Sequence, residues 1–226
     1  MKKIKFVLCS IALISISNNL SAQINAQGVT GTGVLTFYKN SSNQKASAIG
    51  SEYIVEEFKS AKVNGGTQPF QIRFNAYTNV MEYKKDNENL ILVKTNNPLI
   101  EFTNGKTYEL VSYKDKKGTE TTNYLVLIKN AGNISIYKFE KITYQEARPA
   151  QNTYDTGSVA EFKRASDTFF IKIGDVVSEL PTKQKEYIKL FPGKESQIKE
   201  YFKSNKINFK EDADLIKFAT FLNSIS

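Results

Sequence analysis

The sequence predicts an α+β protein in which an antiparallel β-meander, curled towards a barrel or half-barrel, is followed by two or three C-terminal helices. From residue 51 to residue 180 apolar residues recur with a period of two, and turn residues separate the runs at a spacing of roughly 10–12 residues. No helix-length pattern lies between these runs, which argues against parallel βαβ units. After Pro181 the apolar period changes to three or four, as expected for helices.

Three segments illustrate the strand pattern. Every second residue from Phe70 to Ala76 is apolar, which predicts a half-buried strand. Asn104-Gly105 is a two-residue hairpin signal between two alternating runs. The segment from Tyr124 to Ile128 is apolar on both faces, so this strand should be central. The last strands of the predicted β domain, residues 51–180, are Val159–Lys163, Phe169–Ile173 and Val176–Leu180.

The C-terminal segment, residues 181–226, has the signals of amphipathic helices. Thr182 is a suitable N-cap for the first helix, and Pro192-Gly193 ends it. Asn208 followed by Glu211 resembles a capping box for the last helix. Helices this short need a partner surface, so we expect the segment to pack on the β domain.

The N-terminus has the composition of a secretory signal peptide over residues 1–22. Three lysines precede an apolar stretch from Phe6 to Ile16, and small residues at Ser21 and Ala22 predict cleavage after Ala22. The apolar stretch is too short for a stable membrane span. The sequence therefore predicts an exported protein without a transmembrane segment in the mature chain, located in the periplasm or the external medium. Residues 23–50 are predicted to be a flexible leader with one strand, Val34 to Tyr38.

The residues that are missing restrict the chemistry. The chain has no histidine, and its one cysteine, Cys9, leaves with the predicted signal peptide. Histidine-dependent nucleophilic catalysis and the usual zinc sites are thereby excluded. Residues 86–89 (Asp-Asn-Glu-Asn) lack the glycine of a calcium-binding loop and predict a turn instead. We predict no catalytic residue, no cofactor and no metal.

The net charge of +8 comes mainly from lysines spread along the chain. Nucleic-acid recognition favours arginine and clustered basic patches, so no nucleic-acid partner is predicted. One enzymatic alternative is a carboxylate pair of the kind glycosidases use, although acidic residues on strands usually point to solvent. The candidates for such a pair are Glu52, Glu56, Glu57, Glu82, Glu101, Glu109 and Glu120. The tyrosines expected to be exposed, where they could stack on sugars or partner side chains, are Tyr77, Tyr83, Tyr113 and Tyr137.

Three groups of residues resemble a set of uncharacterised exported bacterial proteins. These groups are Gly50-Ser51-Glu52-Tyr53, the segment Phe70 to Tyr83 around Asn75-Ala76-Tyr77, and the tail from Leu190-Phe191-Pro192 through Leu215. The resemblance implies a β-rich body followed by a short helical tail. It implies no known catalytic or binding residue.

Together these features favour an exported, non-enzymatic envelope protein that binds a partner protein or a small apolar ligand. A curled sheet with bulky apolar residues on its inner face could enclose a lipid, or the same residues could simply fill the core. The alternative is a carboxylate-dependent hydrolase that acts on glycans.

Overall fold

The computed structural model describes residues 24–30, 33–39, 48–95, 97–152 and 154–226. They form an antiparallel half-barrel sheet followed by three C-terminal helices, which confirms the predicted α+β class. The predicted signal peptide, residues 1–22, lies outside the described residues.

The main sheet has twelve strands, and two further strands form a separate ribbon. The strands of the main sheet are β1 (Ile24–Thr30), β2 (Gly33–Lys39), β3 (Lys59–Val63), β4 (Phe70–Asn75), β5 (Val80–Lys85), β6 (Glu88–Leu92), β7 (Leu99–Phe102), β8 (Thr107–Lys114), β9 (Glu120–Asn130), β10 (Ile134–Phe139), β13 (Thr168–Ile173) and β14 (Val176–Glu179). The ribbon consists of β11 (Ile142–Gln145) and β12 (Glu161–Arg164). The helices are α1 (Gln184–Leu190), α2 (Glu195–Ser204) and α3 (Asp212–Ile225).

The sheet is two four-stranded meanders joined side by side, with the order β1-β2-β6-β5-β4-β3-β7-β8-β9-β10-β13-β14. The meanders meet where β3 pairs with β7. The N-terminal hairpin adds to β6, and the β13–β14 hairpin adds to β10. These three joins connect strands that are not consecutive in the chain, so the simple predicted meander is interrupted at each of them.

The predicted leader contains two strands rather than one. The predicted strand, Val34 to Tyr38, lies within β2. β1 precedes it and pairs along its length as an antiparallel hairpin. The sequence of β1, INAQGVT, has no clear alternation of apolar residues. Because β1 is held by backbone hydrogen bonds, its pairing leaves no pattern in the sequence.

The inner face of the curved sheet carries the main core. Buried side chains from β2 through β9 belong to a single apolar cluster, which requires the sheet to curl around them. On the same side, the three helices cover β10 and β13, where Ile134, Ile136 and Ile171 pack against Phe218 of α3. The C-terminal segment therefore has its partner surface within the chain.

The predicted helix caps are wrong in detail. α1 begins after Lys183 and α3 begins after Glu211, and neither residue makes a side-chain cap hydrogen bond. Asn208 instead accepts a hydrogen bond from the backbone N–H of Lys210, within the preceding turn. The sheet and neighbouring helices hold these helices through apolar packing, which outweighs capping in such short segments.

A second, smaller curl lies on the opposite face of the sheet. Tyr108 and Leu110 of β8 point to the main core, whereas Val111 and Tyr113 belong to another cluster with Phe170 of β13. β14 folds over this cluster and approaches β8 without pairing with it. The unpaired seam between the two strands opens into a cleft.

Candidate ligand-binding cleft

A cleft of about 330 Å³ lies where the end of β8 faces β13 and β14. Its inner wall consists of Tyr113, Phe139, Phe170 and the smaller Thr168, and we call it the aromatic cleft. Its rim carries four charged residues: Lys114, Asp115, Lys116 and Glu179. An apolar wall with a polar rim is the usual construction of a small-molecule site.

The wall is fixed by strand register and ring packing. Phe139 of β10 lies opposite Thr168 of β13. The rings of Tyr113 and Phe170 are 4.3 Å apart between centroids and tilted by 46°. Asn123 Nδ2 donates a hydrogen bond of 3.0 Å to the Tyr113 hydroxyl. Burial raises the pKa of Tyr113, and that hydroxyl stays neutral. Residues held on strands in this way form a wall before any ligand arrives.

The rim is held by a tight turn between β8 and β9. Asp115 Oδ1 accepts hydrogen bonds from the backbone N–H groups of Lys117 at 2.8 Å and Thr119 at 2.9 Å. Gly118 has a φ of +80°, which glycine adopts without strain. The Asp115 carboxylate therefore orders its own turn and is an anion already engaged by the backbone.

The four charged rim residues carry two positive and two negative charges. Lys116 Nζ lies 3.2 Å from Glu179 Oε1, and this ion pair links the turn to β14 across the cleft. Lys114 has no carboxylate within ion-pair distance among the residues that the structure describes. The charges of the rim therefore sum to zero, and one of its two lysines is held by an ion pair.

The inner face of the half-barrel carries the main apolar core among the residues that the structure describes. Large side chains fill it, including Tyr124, Phe37 and Met81, each of them almost fully buried. The Tyr124 hydroxyl is buried with no hydrogen-bond partner among the described residues. A crevice near Arg73 and Lys106 has a volume of only about 40 Å³, which is room for water rather than for a lipid.

The Arg73–Glu82 pair forms a buried polar network under the segment before β3. Arg73 Nη2 lies 2.7 Å from Glu82 Oε2, and it also donates to the Tyr53 hydroxyl at 2.8 Å. The same hydroxyl donates to Glu82. Burial, followed by the charge of Glu82, raises the pKa of Tyr53. This network ties residues 53–58 to β4 and β5, since Arg73 Nη1 also donates to the backbone carbonyl of Glu56.

Two of the seven candidate glutamates come together. Asn75 Nδ2 donates to Glu52 Oε2 at 2.8 Å and lies 3.3 Å from Glu82 Oε1. Glu82 has a side chain only 1% exposed and is fully engaged by Arg73 and Tyr53. Glu82 therefore faces its hydrogen-bond donors, whereas Glu52 is half-buried beside Asn75.

The other candidate glutamates are scattered. Glu56, Glu57, Glu101 and Glu120 are exposed, and Glu109 accepts a hydrogen bond from the Tyr137 hydroxyl at 2.9 Å. Among the described residues no group of three or more acidic, cysteine or histidine side chains could hold a metal ion. No described helix has the length and apolar character required to cross a membrane.

Two of the four tyrosines expected to be exposed are buried. Tyr113 is 8% exposed and Tyr137 is 1% exposed, because both face the second curl of the sheet. Tyr77 and Tyr83 are half-buried. Tyr113 does contribute to a candidate site, but as part of its wall. The sequence gives no local signal for the other wall residues, because Phe139, Thr168 and Phe170 reach the cleft only through the β10–β13 pairing.

Comparison of the chain with protein-family models, with curated proteins and with solved structures finds no match.

Proposed function

We propose that this chain is an exported, non-enzymatic binding protein and that the aromatic cleft holds a small apolar ligand. The observation that supports the proposal is the cleft itself: about 330 Å³ of space against three aromatic side chains with a charged rim. Small-molecule sites have volumes of about 300–1,000 Å³ and this kind of lining. The volume is at the lower end of that range, which suits a ligand with one short chain or one ring.

Because large side chains occupy the inner face of the half-barrel, we place the ligand at the second curl of the sheet. A lipid enclosed by the half-barrel would need space now occupied by Phe37, Met81 and Tyr124. Interiors packed in this way do not open without a large loss of packing energy. The aromatic cleft needs no such rearrangement.

The alternative, glycan hydrolysis, receives less support from the geometry. A glycosidase needs two carboxyl groups on either side of a substrate-accessible bond. Glu52 and Glu82 lie close together, but Glu82 is buried behind Arg73. A sugar placed between them would have to displace the Arg73–Glu82 ion pair.

A partner protein is the second candidate, and one observation favours it. Tyr154 is 99% exposed in the loop between β11 and β12. Asp155, next to it, accepts hydrogen bonds from the Arg148 side chain and from the backbone N–H of Gln151 and of Gly157. A tyrosine on a pre-ordered loop is a common anchor in protein interfaces. A photo-cross-linker at position 154, but not at exposed Val176, should then give one discrete product in intact cells.

Ligand binding is tested with N-phenyl-1-naphthylamine, a neutral apolar probe whose fluorescence rises in apolar sites. The chain has no tryptophan, so the probe signal is free of that background. We expect saturable binding to the wild type and its loss in Thr168→Phe, which fills the cleft with a residue that strands accommodate. Val176→Phe is the matched control, because Val176 is 71% exposed on neighbouring β14. Equal binding of the probe by the wild type and Thr168→Phe would contradict the proposal.

Export is tested separately. The mass of the protein recovered from the cell envelope or the medium should equal that of a chain beginning at Gln23. Recovery of the uncleaved chain from the cytoplasm alone would contradict this part of the proposal.

A further inference from the structure

We propose that the ligand of the aromatic cleft is a neutral molecule, about the size of one ring, whose oxygen accepts a hydrogen bond from the Tyr113 hydroxyl. This inference rests on the proposed function, because it assigns a chemical class to the ligand of the same cleft. Two features of the cleft support it: the balanced charge of its rim and a buried hydroxyl in its wall.

The charge of the cleft favours a neutral ligand. The side chains of its wall are uncharged, and the four charged residues of its rim sum to zero. Transfer of an ionised group into an apolar site costs free energy unless a counter-charge compensates for the lost water. Because the rim offers no net charge of either sign, we expect a carboxylate and an ammonium both to bind poorly.

The Tyr113 hydroxyl is the polar group that the wall offers to a neutral ligand. It accepts a hydrogen bond of 3.0 Å from Asn123 Nδ2, and its own proton has no acceptor within the part of the chain that the structure describes. A phenolic hydroxyl can accept and donate at the same time, so one donor remains. Tyr113 is only 8% exposed, and a buried donor without an acceptor is costly. A ligand oxygen at this hydroxyl would remove that cost.

The protonation of this hydroxyl also favours a neutral acceptor. Burial is the main cause of the raised pKa of Tyr113; the hydrogen bond from Asn123 opposes it, and the charge of Asp115 on the rim adds to it. The hydroxyl therefore keeps its proton at neutral pH and can donate it. The Asp115 carboxylate would repel a negatively charged acceptor at the same place. A carbonyl or ether oxygen thus suits this donor better than a carboxylate does.

The strand register sets the space for the apolar part of the ligand. Thr168 and Phe170 are two residues apart on β13 and therefore lie on one face of the sheet. Phe139 of β10 lies opposite Thr168. The small Thr168 side chain thus stands between two phenylalanine rings, against which a ligand ring can pack.

The experiment compares four probes of one ring and similar size: acetophenone, ethylbenzene, benzoate and benzylammonium. Each is titrated with the purified protein at pH 7, and ligand-observed NMR gives the dissociation constants. We expect acetophenone to bind about tenfold or more tightly than either charged probe. Tyr113→Phe removes only the hydroxyl, so it should weaken acetophenone binding roughly threefold to tenfold and leave ethylbenzene binding unchanged.

Tyr137→Phe is the matched control. Tyr137 belongs to the same apolar cluster as Tyr113 but does not line the cleft. Its hydroxyl already donates to Glu109 Oε2 at 2.9 Å. This variant should therefore bind acetophenone and ethylbenzene as the wild type does.

The outcomes separate this inference from the proposed function. If Thr168→Phe abolishes the binding of acetophenone and ethylbenzene, but Tyr113→Phe weakens neither or both equally, the cleft is a ligand site and the assigned acceptor is wrong. Binding of either charged probe as tightly as acetophenone overturns the neutral class, and this comparison needs only the wild type. If N-phenyl-1-naphthylamine binds the wild type but acetophenone does not, the inference alone fails. If neither binds, both proposals fail.

Discussion

Arg73 and Glu82 occupy directly opposed positions on β4 and β5, and their side chains meet at 2.7 Å where solvent hardly reaches. The guanidinium is also stacked 3.8 Å from the ring centroid of Tyr53. One register position thus brings together a cation, an anion and an aromatic ring. Removing either charge leaves the other buried without its partner.

Glu82→Gln should lower the free energy of unfolding by about 3 kcal/mol, because the Arg73 cation then remains buried and unneutralised. Urea denaturation of the wild type and the variant measures this loss. Glu120→Gln, at an exposed strand end, should change stability by less than about 0.5 kcal/mol. Replacing both partners, with Arg73→Met and Glu82→Leu, should restore much of the stability. A loss below about 1 kcal/mol in Glu82→Gln would contradict this interpretation.

Asn79 pairs with the backbone of Tyr124 as a neighbouring strand would. Its Oδ1 accepts from the Tyr124 N–H at 2.8 Å and its Nδ2 donates to the Tyr124 carbonyl at 3.1 Å. Asn79→Ala should cost roughly 2–4 kcal/mol, because both backbone groups lose their side-chain partners. Asn79 also has a φ of +55°, so Asn79→Gly should be less destabilising than Asn79→Ala. Equal losses in the two variants would show that the backbone angle is unimportant.

Glu140 makes the free energy of unfolding depend on pH in the acidic range. Burial alone would raise the pKa of Glu140, but Lys106, Tyr108 and Arg164 together lower it below its usual value of 4.5. Because the folded-state pKa is the lower one, this contribution is complete above pH 4.5 and is lost as the pH falls below it.

The unfolding free energies of the wild type and Glu140→Gln, measured from pH 7 to pH 3, test this dependence. The difference between them should be constant near neutral pH and shrink below the usual carboxyl range. A difference that grows as the pH falls would reverse the assigned direction of the shift.

Phe218 is at the centre of the helical core. Its ring lies 4.8 Å from the Tyr187 ring and 5.7 Å from the Phe202 ring, both in edge-on geometry. Phe218→Ala should lower the free energy of unfolding by about 3–5 kcal/mol through the cavity it leaves. Ile216→Ala, on the exposed face of the same helix, is the matched control and should cost much less. Similar losses in the two variants would show that α3 is not packed as described.

Truncation after Pro181 removes all three helices. It exposes the apolar face formed by Ile134, Ile136 and Ile171, so we expect the shortened chain to aggregate. Light scattering and thermal melting of the truncated and complete proteins measure this. A monomeric truncated protein with an unchanged Tm would show that the helices contribute nothing to the sheet.

Local patterns predicted the elements that depend on local chemistry. The alternation at Phe70–Ala76, the turn at Asn104-Gly105 and the period change after Pro181 correspond to β4, to the β7–β8 turn and to the helices. The pairing of β3 with β7 was not predictable in this way, because backbone hydrogen bonds between distant strands carry no residue signature.

The candidate site also depends on pairing between strands that are distant in the chain. An acidic residue on a strand usually faces solvent, yet Glu82 is buried because the β4–β5 register sets Arg73 opposite it. The aromatic cleft depends on the β10–β13 pairing and on the curl that brings β14 over β8. No short stretch of sequence predicts either feature. The cleft can therefore be identified only from the three-dimensional arrangement.

The docking of β2 on β6 also determines the order in which the chain can assemble. During synthesis the β1–β2 hairpin emerges before β6, and β6 is complete only once Leu92 has been added. Until β2 and β6 pair, each presents an unpaired edge, and the hairpin of one nascent chain fits the β6 edge of another. Exchange of the β1–β2 hairpin between two molecules is therefore the form of misassembly that this topology favours.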